Sequence, residues 1–182
     1  MANLRDIRRR IKSVENTAKI TKAMQMIAAA KMVKAQEQAK AGRAYAGKLN
    51  RLLADLKDNL EDGSHPLLEE RQGNRELVLV ISTDRGLCGG LNSNLMRKLR
   101  AELPKDAHFV TVGRKLRGSL FKTGATMVAD FVVGDPVPFA EARPIARLLA
   151  QKFLAGDYDR IRVTFNHFVS TLSQEPWISQ LL

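Results

Sequence analysis

Cysteine is scarce in this chain, and the scarcity limits its chemistry. Cys88 is the only cysteine among 182 residues, which excludes a disulfide framework and a cysteine-based metal site. A reducing compartment is therefore expected. His65, His108 and His167 are scattered and lack metal-ligand spacing such as HExxH. No motif links them to Cys88, so we predict a structural thiol, no bound cofactor and no enzyme active site.

Long apolar runs and early prolines are also missing. No window approaches the roughly 18 apolar residues that cross a bilayer, and the N-terminus lacks the apolar core of a secretory signal. We therefore predict no direct membrane insertion. None of the 6 prolines precedes Pro66, so no proline interrupts a helix in the first third of the chain.

Acidic residues are few in the first sixty positions. These hold 14 Lys or Arg against 5 Asp or Glu, a balance of +9 out of the net +11. The remainder of the chain is nearly neutral. A segment this basic predicts an acidic partner, which can be nucleic acid, an anionic membrane surface or an acidic protein collar. A solvated helix surface accounts for the charge equally well.

Apolar residues recur in the same segment at alternating steps of three and four. This heptad pattern predicts a coiled-coil helix over residues 1–60, about 85 Å long at 1.5 Å per residue. A small domain cannot cover such a helix, so we expect it to protrude and pack against another helix. The predicted seam begins with Leu4, Ile7, Ile11, Val14, Ala18, Thr21, Gln25, Ala28, Met32 and Ala35, and continues through Ala39, Gly42, Ala46, Leu49, Leu53, Leu56 and Leu60.

The rest of the chain reads as a linker followed by an α/β domain. Turn-forming residues predict a linker over 61–76. Strands are predicted at 77–81, 109–113, 127–133, 161–166 and 174–182, with helices after residue 91, over 114–122 and over about 139–155. This alternation predicts a Rossmann-like three-layer α/β domain at 77–182, with a mostly parallel sheet and helices on both faces.

A glycine-rich loop, residues 83–91, connects the first predicted strand to the next helix. This is where nucleotide-binding folds hold phosphates. Its GxxGG spacing, from Gly86 to Gly89 and Gly90, matches neither GxGxxG nor GxxxxGK[ST]. We interpret these glycines as a tight structural turn.

A basic cluster on the predicted helix leaves two functions open. The cations could contact phosphates, as in a basic coiled-coil nucleic-acid-binding protein. However, they lie beside a continuing apolar seam, and Met24, Met26, Ile27 and Met32 add a second apolar strip. A protein sleeve around the helix fits this arrangement better. The cluster consists of Arg8, Arg9, Arg10, Lys12, Lys19, Lys22, Lys31 and Lys34.

Two long segments resemble the gamma subunit of rotary ATP synthases. Residues 11–31, IKSVENTAKITKAMQMIAAAK, are similar to its N-terminal helix, and residues 82–92, STDRGLCGGLN, to its glycine motif. The similarity continues through residues 165–170 and the 174–176 region, and covers essentially the whole chain.

The resemblance implies a central-stalk rotor subunit that does not itself catalyse. Such a stalk couples proton flow to conformational change in the catalytic beta subunits. The implied partners are the alpha and beta subunits of the ring, the epsilon subunit and the membrane rotor ring, with no nucleic acid. The implied location is peripheral, on the cytoplasmic face of a bacterial cell membrane. The residues expected to face the alpha/beta ring are Lys19, Ile20, Thr21, Lys22, Ala23, Met24 and Ile27.

The family has a C-terminal helix that pairs with the first one, and no segment for it follows Leu182 in this sequence. We therefore expect residues 1–60 to pair with a substitute helix, for example by self-association, or to fray.

Overall fold

The computed structural model describes residues 3–58 and 65–182. The chain divides into two compact units, Met1–Glu61 and Asp62–Leu182. The first unit contains helix α1 (Leu4–Asp58), 55 residues or about 80 Å of continuous helix. This confirms the long N-terminal helix. The last seam position, Leu60, and the predicted turn at 61–64 lie outside the described residues.

The second unit is built on one sheet of five strands. The strands are β1 (Glu76–Ile81), β2 (His108–Val112), β3 (Thr126–Phe131), β4 (Arg160–Phe168) and β5 (Gln174–Gln180). Their order is β3-β2-β1-β4-β5. The first four are parallel and β5 pairs antiparallel with β4. The helices are α2 (Leu91–Glu102), α3 (Arg114–Lys122) and α4 (Phe139–Leu154). The mostly parallel α/β sheet is confirmed.

Strand ends differ slightly from the sequence prediction. β3 stops at Phe131 because its neighbour β2 ends at Val112, the residue that pairs with Phe131. Val132 and Val133 therefore have no strand beside them to bond. β4 extends to Phe168 because β5 supplies partners as far as Gln174.

Apolar side chains alternate across the sheet and form two cores. Leu77 and Leu79 belong to one core, and Val78 and Val80 of the same strand belong to the other. The first core includes residues of α4 and the second includes residues of α2 and α3. Since successive side chains of a strand point to opposite faces, β1 is buried on both sides, which gives the three layers.

The segment before β1 is attached to the end of α4 by Arg71. This segment contains a 3-10 helix, Pro66–Leu68. The Arg71 guanidinium donates to the carbonyl oxygens of Phe153 (2.5 Å) and Tyr158 (3.2 Å). It also lies 4.1 Å from the centre of the Phe153 ring. Because the Phe153 carbonyl belongs to the last turn of α4, a cation there has favourable electrostatics as well as hydrogen bonds.

Asp159 forms a second attachment and leads to a pH prediction. It accepts hydrogen bonds from the Arg75 side chain at 2.9 and 3.1 Å and from the Arg75 backbone N–H at 3.0 Å. The Arg75 side-chain hydrogen bond is the main cause that lowers the pKa of Asp159. Protonation of Asp159 is therefore less favourable in the folded chain than in the unfolded chain.

We expect Asp159→Asn to unfold at lower urea concentration than the unmodified chain near neutral pH. A carboxylate with a lowered folded-state pKa stabilises the fold above its unfolded pKa, and the effect disappears as the pH falls through the folded-state value. The difference in urea midpoint should therefore shrink as the buffer is acidified. Asp106→Asn, at an exposed site, should show no difference at any pH. A difference in urea midpoint that stays constant in acid would contradict a stabilising role for the Asp159 carboxylate.

Candidate functional site

The residues predicted to face a partner lie on one stretch of α1. All seven of them, from Lys19 to Ile27, are exposed. Among the apolar ones, the exposed fractions are 61% for Ile20, 55% for Met24 and 60% for Ile27. At 3.6 residues per turn, these three positions are spaced i, i+4 and i+7 and so form one strip. Lys19 lies about a third of a turn from this strip, and Lys22 lies nearly opposite it, beside Ala18 and Gln25 of the seam.

The predicted seam lies on another face of the same helix. Its residues are exposed throughout the described part of α1; Leu4 is 71% and Val14 is 68% exposed. At the level of Ile20 the seam consists of Ala18, Thr21, Gln25 and Ala28. This face is about a third of a turn from the strip of Ile20, Met24 and Ile27.

At this level α1 presents a bulky apolar strip and a separate face of small and polar residues, which implies contacts on two sides. From residue 3 to residue 56, only Gln36 is even half-buried. Exposed apolar area of this extent marks an interaction surface. The small seam residues Ala18 and Ala28 permit a helix to approach closely, while the bulkier strip offers longer side chains to a second partner.

The glycine loop is held by a small network between β1 and α2. Asn92 Nδ2 donates to Thr83 Oγ1 at 2.8 Å, and Thr83 Oγ1 donates to the Arg85 carbonyl at 2.8 Å. Gly89 has φ +60°, in the left-handed region that glycine adopts without strain. Gly90 lies next to Asn94, whose Nδ2 is 3.0 Å from an added Cβ. The loop is therefore a turn fixed by its own side chains.

Among the residues that the structure describes, the Cys88 sulfur has no general base beside it. Its sulfur is near Asn92 Nδ2 (3.3 Å), Thr83 Oγ1 (3.8 Å) and the Arg85 carbonyl oxygen (3.9 Å). None of these groups can act as a general base toward the thiol. Across residues 3–58 and 65–182, no three His, Cys, Asp or Glu side chains are grouped to hold a metal.

Three features of this region were missed by the sequence analysis. Leu87 is fully exposed and adopts φ +59°, a conformation unusual for a residue with a side chain. The ammonium of Lys115 lies over Gly86, 3.5 Å from where a Cβ would be. Gly113 packs against Ser82. In the sequence, only the closely spaced glycines indicate such close approaches. The residues that contact them cannot be read from the sequence, since they come from different elements.

In the described part of the chain, no helix is both long and apolar enough to pass through a membrane.

Comparisons with known proteins identify relatives of this chain. A family model described as ATP synthase matches residues 3–182. The ATP synthase gamma chain of Akkermansia muciniphila is 47% identical over 182 residues, and that of Opitutus terrae is 44% identical over the same length. The whole chain aligns in both cases, but it spans only 62% of each relative.

Solved structures give the same relationship. The central stalk of the Tetrahymena thermophila mitochondrial ATP synthase superposes with a TM-score of 0.71 at 26% identity, covering 90% of this chain and 72% of that one. A chain of the Euglena gracilis mitochondrial ATP synthase has a TM-score of 0.62 at 20% identity, covering 97% and 56%, and shows the shared fold alone. None of these relatives supports the nucleic-acid-binding alternative.

Proposed function

We propose that this chain, which belongs to the ATP synthase gamma-chain family, supplies the shaft helix and the α/β body of a central rotor stalk. The stalk turns with the membrane rotor ring and changes the conformation of catalytic beta subunits in sequence. Residues 1–60 form the shaft, residues 61–76 the linker and residues 77–182 the body.

The observation that supports this most directly is the pair of exposed apolar faces on α1. The seam takes a second helix, so that two helices form a stiff shaft. The strip of Ile20, Met24 and Ile27 faces the alpha/beta ring, and so do Lys19 and Lys22 at the same level of the helix. Apolar contacts are non-directional, so a shaft can move past its sleeve without breaking a fixed set of hydrogen bonds.

Coupling in this proposal needs no chemistry on the rotor. A rotor shifts a catalytic site between states only through contacts that differ between those states. The chain is therefore non-catalytic, with ATP bound on other subunits. The turn at Gly86, Gly89 and Gly90 is structural, which agrees with its internal hydrogen bonds and with the absence of a phosphate-binding lysine after the last glycine.

The proposed partners are the alpha and beta subunits of the catalytic ring, the epsilon subunit and the membrane rotor ring. The proposed location is the cytoplasmic face of a bacterial cell membrane, where the chain is held by other subunits. Bacterial gamma chains at 47% and 44% identity support this placement.

The test is charge reversal at Lys19 and Lys22. We expect the double variant Lys19→Glu and Lys22→Glu to bind a purified alpha/beta ring at least fivefold more weakly, because both cations are exposed and face an acidic sleeve. The measurement is titration of the labelled chain with the ring at fixed salt.

The matched control reverses Lys40 and Lys48, two exposed lysines of the same helix. The control makes the same change in net charge and should stay within twofold of the unmodified chain. Equal weakening by both pairs would mean that only net charge matters, and unchanged binding by the first pair would remove the proposed contact. Turnover of ATP by the isolated chain would contradict the non-catalytic assignment.

A further inference from the structure

A cavity in the α/β body has apolar walls and a cationic rim. It has a volume of about 420 Å³ and lies among α2, α3 and the start of β2. We call it the α2–α3 cavity. Leu99, Phe109 and Leu120 form its inner wall, and they are only 3%, 7% and 3% exposed. Its size falls in the range of about 300–1,000 Å³ in which proteins bind small molecules.

Gly124 leaves one side of this cavity open. It ends α3 with φ +73°, and a Cβ added there would meet nothing within 4 Å. Its backbone N–H donates to the Phe121 carbonyl, so the turn is fixed without any side chain in the space. The opening is therefore a stable part of the helix end.

The rim carries positive charge that the described residues leave unneutralised. Arg100 and Lys105 line the cavity and are exposed, and neither has an acidic partner within residues 3–58 and 65–182. Nearby Lys98 differs because it is paired with Glu102 at 2.8 Å. Asp106 follows Lys105 in the sequence, but no carboxylate lines the cavity.

We propose that the α2–α3 cavity binds an amphipathic anion, a single-chain fatty carboxylate of medium length. Its hydrocarbon chain would lie against Leu99, Phe109 and Leu120, and its carboxylate would pair with Arg100 and Lys105. A wholly apolar ligand would leave the cations unused, and an inorganic anion would leave the walls unfilled. Charge-assisted hydrogen bonds to arginine and lysine are the stronger kind and would fix the head group. This inference goes beyond the rotor function and does not depend on it.

Calorimetric titration of the full chain with decanoate, below its micelle concentration, tests the proposal. We expect saturable binding at one site per chain. Octanoate, shorter by two methylenes, should bind about tenfold more weakly, since each buried methylene changes affinity about fourfold at most. The neutral analogue decanol should also bind at least tenfold more weakly.

Two sets of variants separate the head-group contacts from the wall contacts. Arg100→Gln with Lys105→Gln should weaken decanoate binding at least tenfold. The matched control, Arg143→Gln with Arg147→Gln, removes two exposed cations of α4 and should change affinity less than twofold. Leu103→Trp, at a half-buried lining position, should block binding while the urea midpoint confirms that the variant is folded.

Several results would overturn the proposal. These are absent or unsaturable decanoate binding, equal losses in the two double variants, and unchanged binding in folded Leu103→Trp. Displacement of decanoate by millimolar inorganic phosphate would indicate a general anion site. Binding to phosphatidylglycerol vesicles that needs Arg100 and Lys105, without decanoate binding, would indicate a membrane surface.

Discussion

Replacing Gly113 by valine should lower the free energy of unfolding of the α/β body by about 3–5 kcal/mol. Gly113 follows β2 with φ +94°, and a Cβ there would lie 2.3 Å from the backbone carbonyl oxygen of Ser82. Ser82 cannot move aside easily, because its N–H donates to the Val112 carbonyl at 2.8 Å. The substitution therefore combines a forbidden contact with an unfavourable backbone conformation.

The disturbance should extend to α3. This helix begins at Arg114 and is held to the end of β1 by two hydrogen bonds, from Lys115 N to the Thr83 carbonyl (3.0 Å) and from Leu116 N to Ser82 Oγ (3.3 Å). Displacement of Gly113 from Ser82 would break both. Urea unfolding followed by circular dichroism measures the loss.

Gly118→Ala is the control for Gly113→Val. Gly118 lies inside α3, and a Cβ there would meet nothing within 4 Å. Alanine in a helix interior is favoured over glycine, so this variant should gain about 0.5–1 kcal/mol. If Gly113→Val unfolds at the midpoint of the unmodified chain, the close approach to Ser82 does not exist in solution.

The single variant Phe153→Ala should lower the free energy of unfolding by about 3–5 kcal/mol relative to the unmodified chain. The Phe153 side chain is 0% exposed and lies in the core that contains Leu77 and Ile161. Its removal leaves a cavity at the C-terminal end of α4. It also removes the ring over which the Arg71 guanidinium lies.

A double-mutant cycle separates these two effects. Arg71→Ala should itself be destabilising, because the Phe153 and Tyr158 carbonyls lose the guanidinium as a donor. The two substitutions should be non-additive by about 0.5–1 kcal/mol, the size of a cation–π contact. Phe139→Ala is the control, since Phe139 is 79% exposed and should change stability by less than about 0.5 kcal/mol. Strict additivity at Arg71 and Phe153 would contradict the stacking.

Much of the fold could be predicted because its signals are local. The run of Leu77 to Ile81 is apolar at every position, as expected for a strand between two layers of helices. Gly124 and Gly156 follow α3 and α4 and adopt left-handed conformations, as glycine at a helix C-terminus commonly does. The strip of Ile20, Met24 and Ile27 differs from the one predicted from the sequence, because Met26 and Met32 lie on other faces of a helix with 3.6 residues per turn.

The contacts between distant segments could not be predicted. Arg71 and Phe153 are 82 residues apart, and no sequence pattern around either residue predicts their contact. The same holds for Lys115 over Gly86 and for Gly113 against Ser82. A pattern of apolar and polar residues shows which face of a helix or strand is apolar, but it does not show which other element packs against that face.

The sequence by itself determined the long helix and its apolar seam, since a heptad pattern requires only neighbouring residues along one chain segment. The sequence also predicts no catalytic cluster, because its single cysteine and three histidines are scattered. Only the tertiary structure decided the strand order β3-β2-β1-β4-β5, which brings α2 and α3 side by side and so forms their cavity. The physical reason is that strand order depends on the free energy of strand pairing and apolar burial over the whole α/β body. No local stretch of residues determines that total.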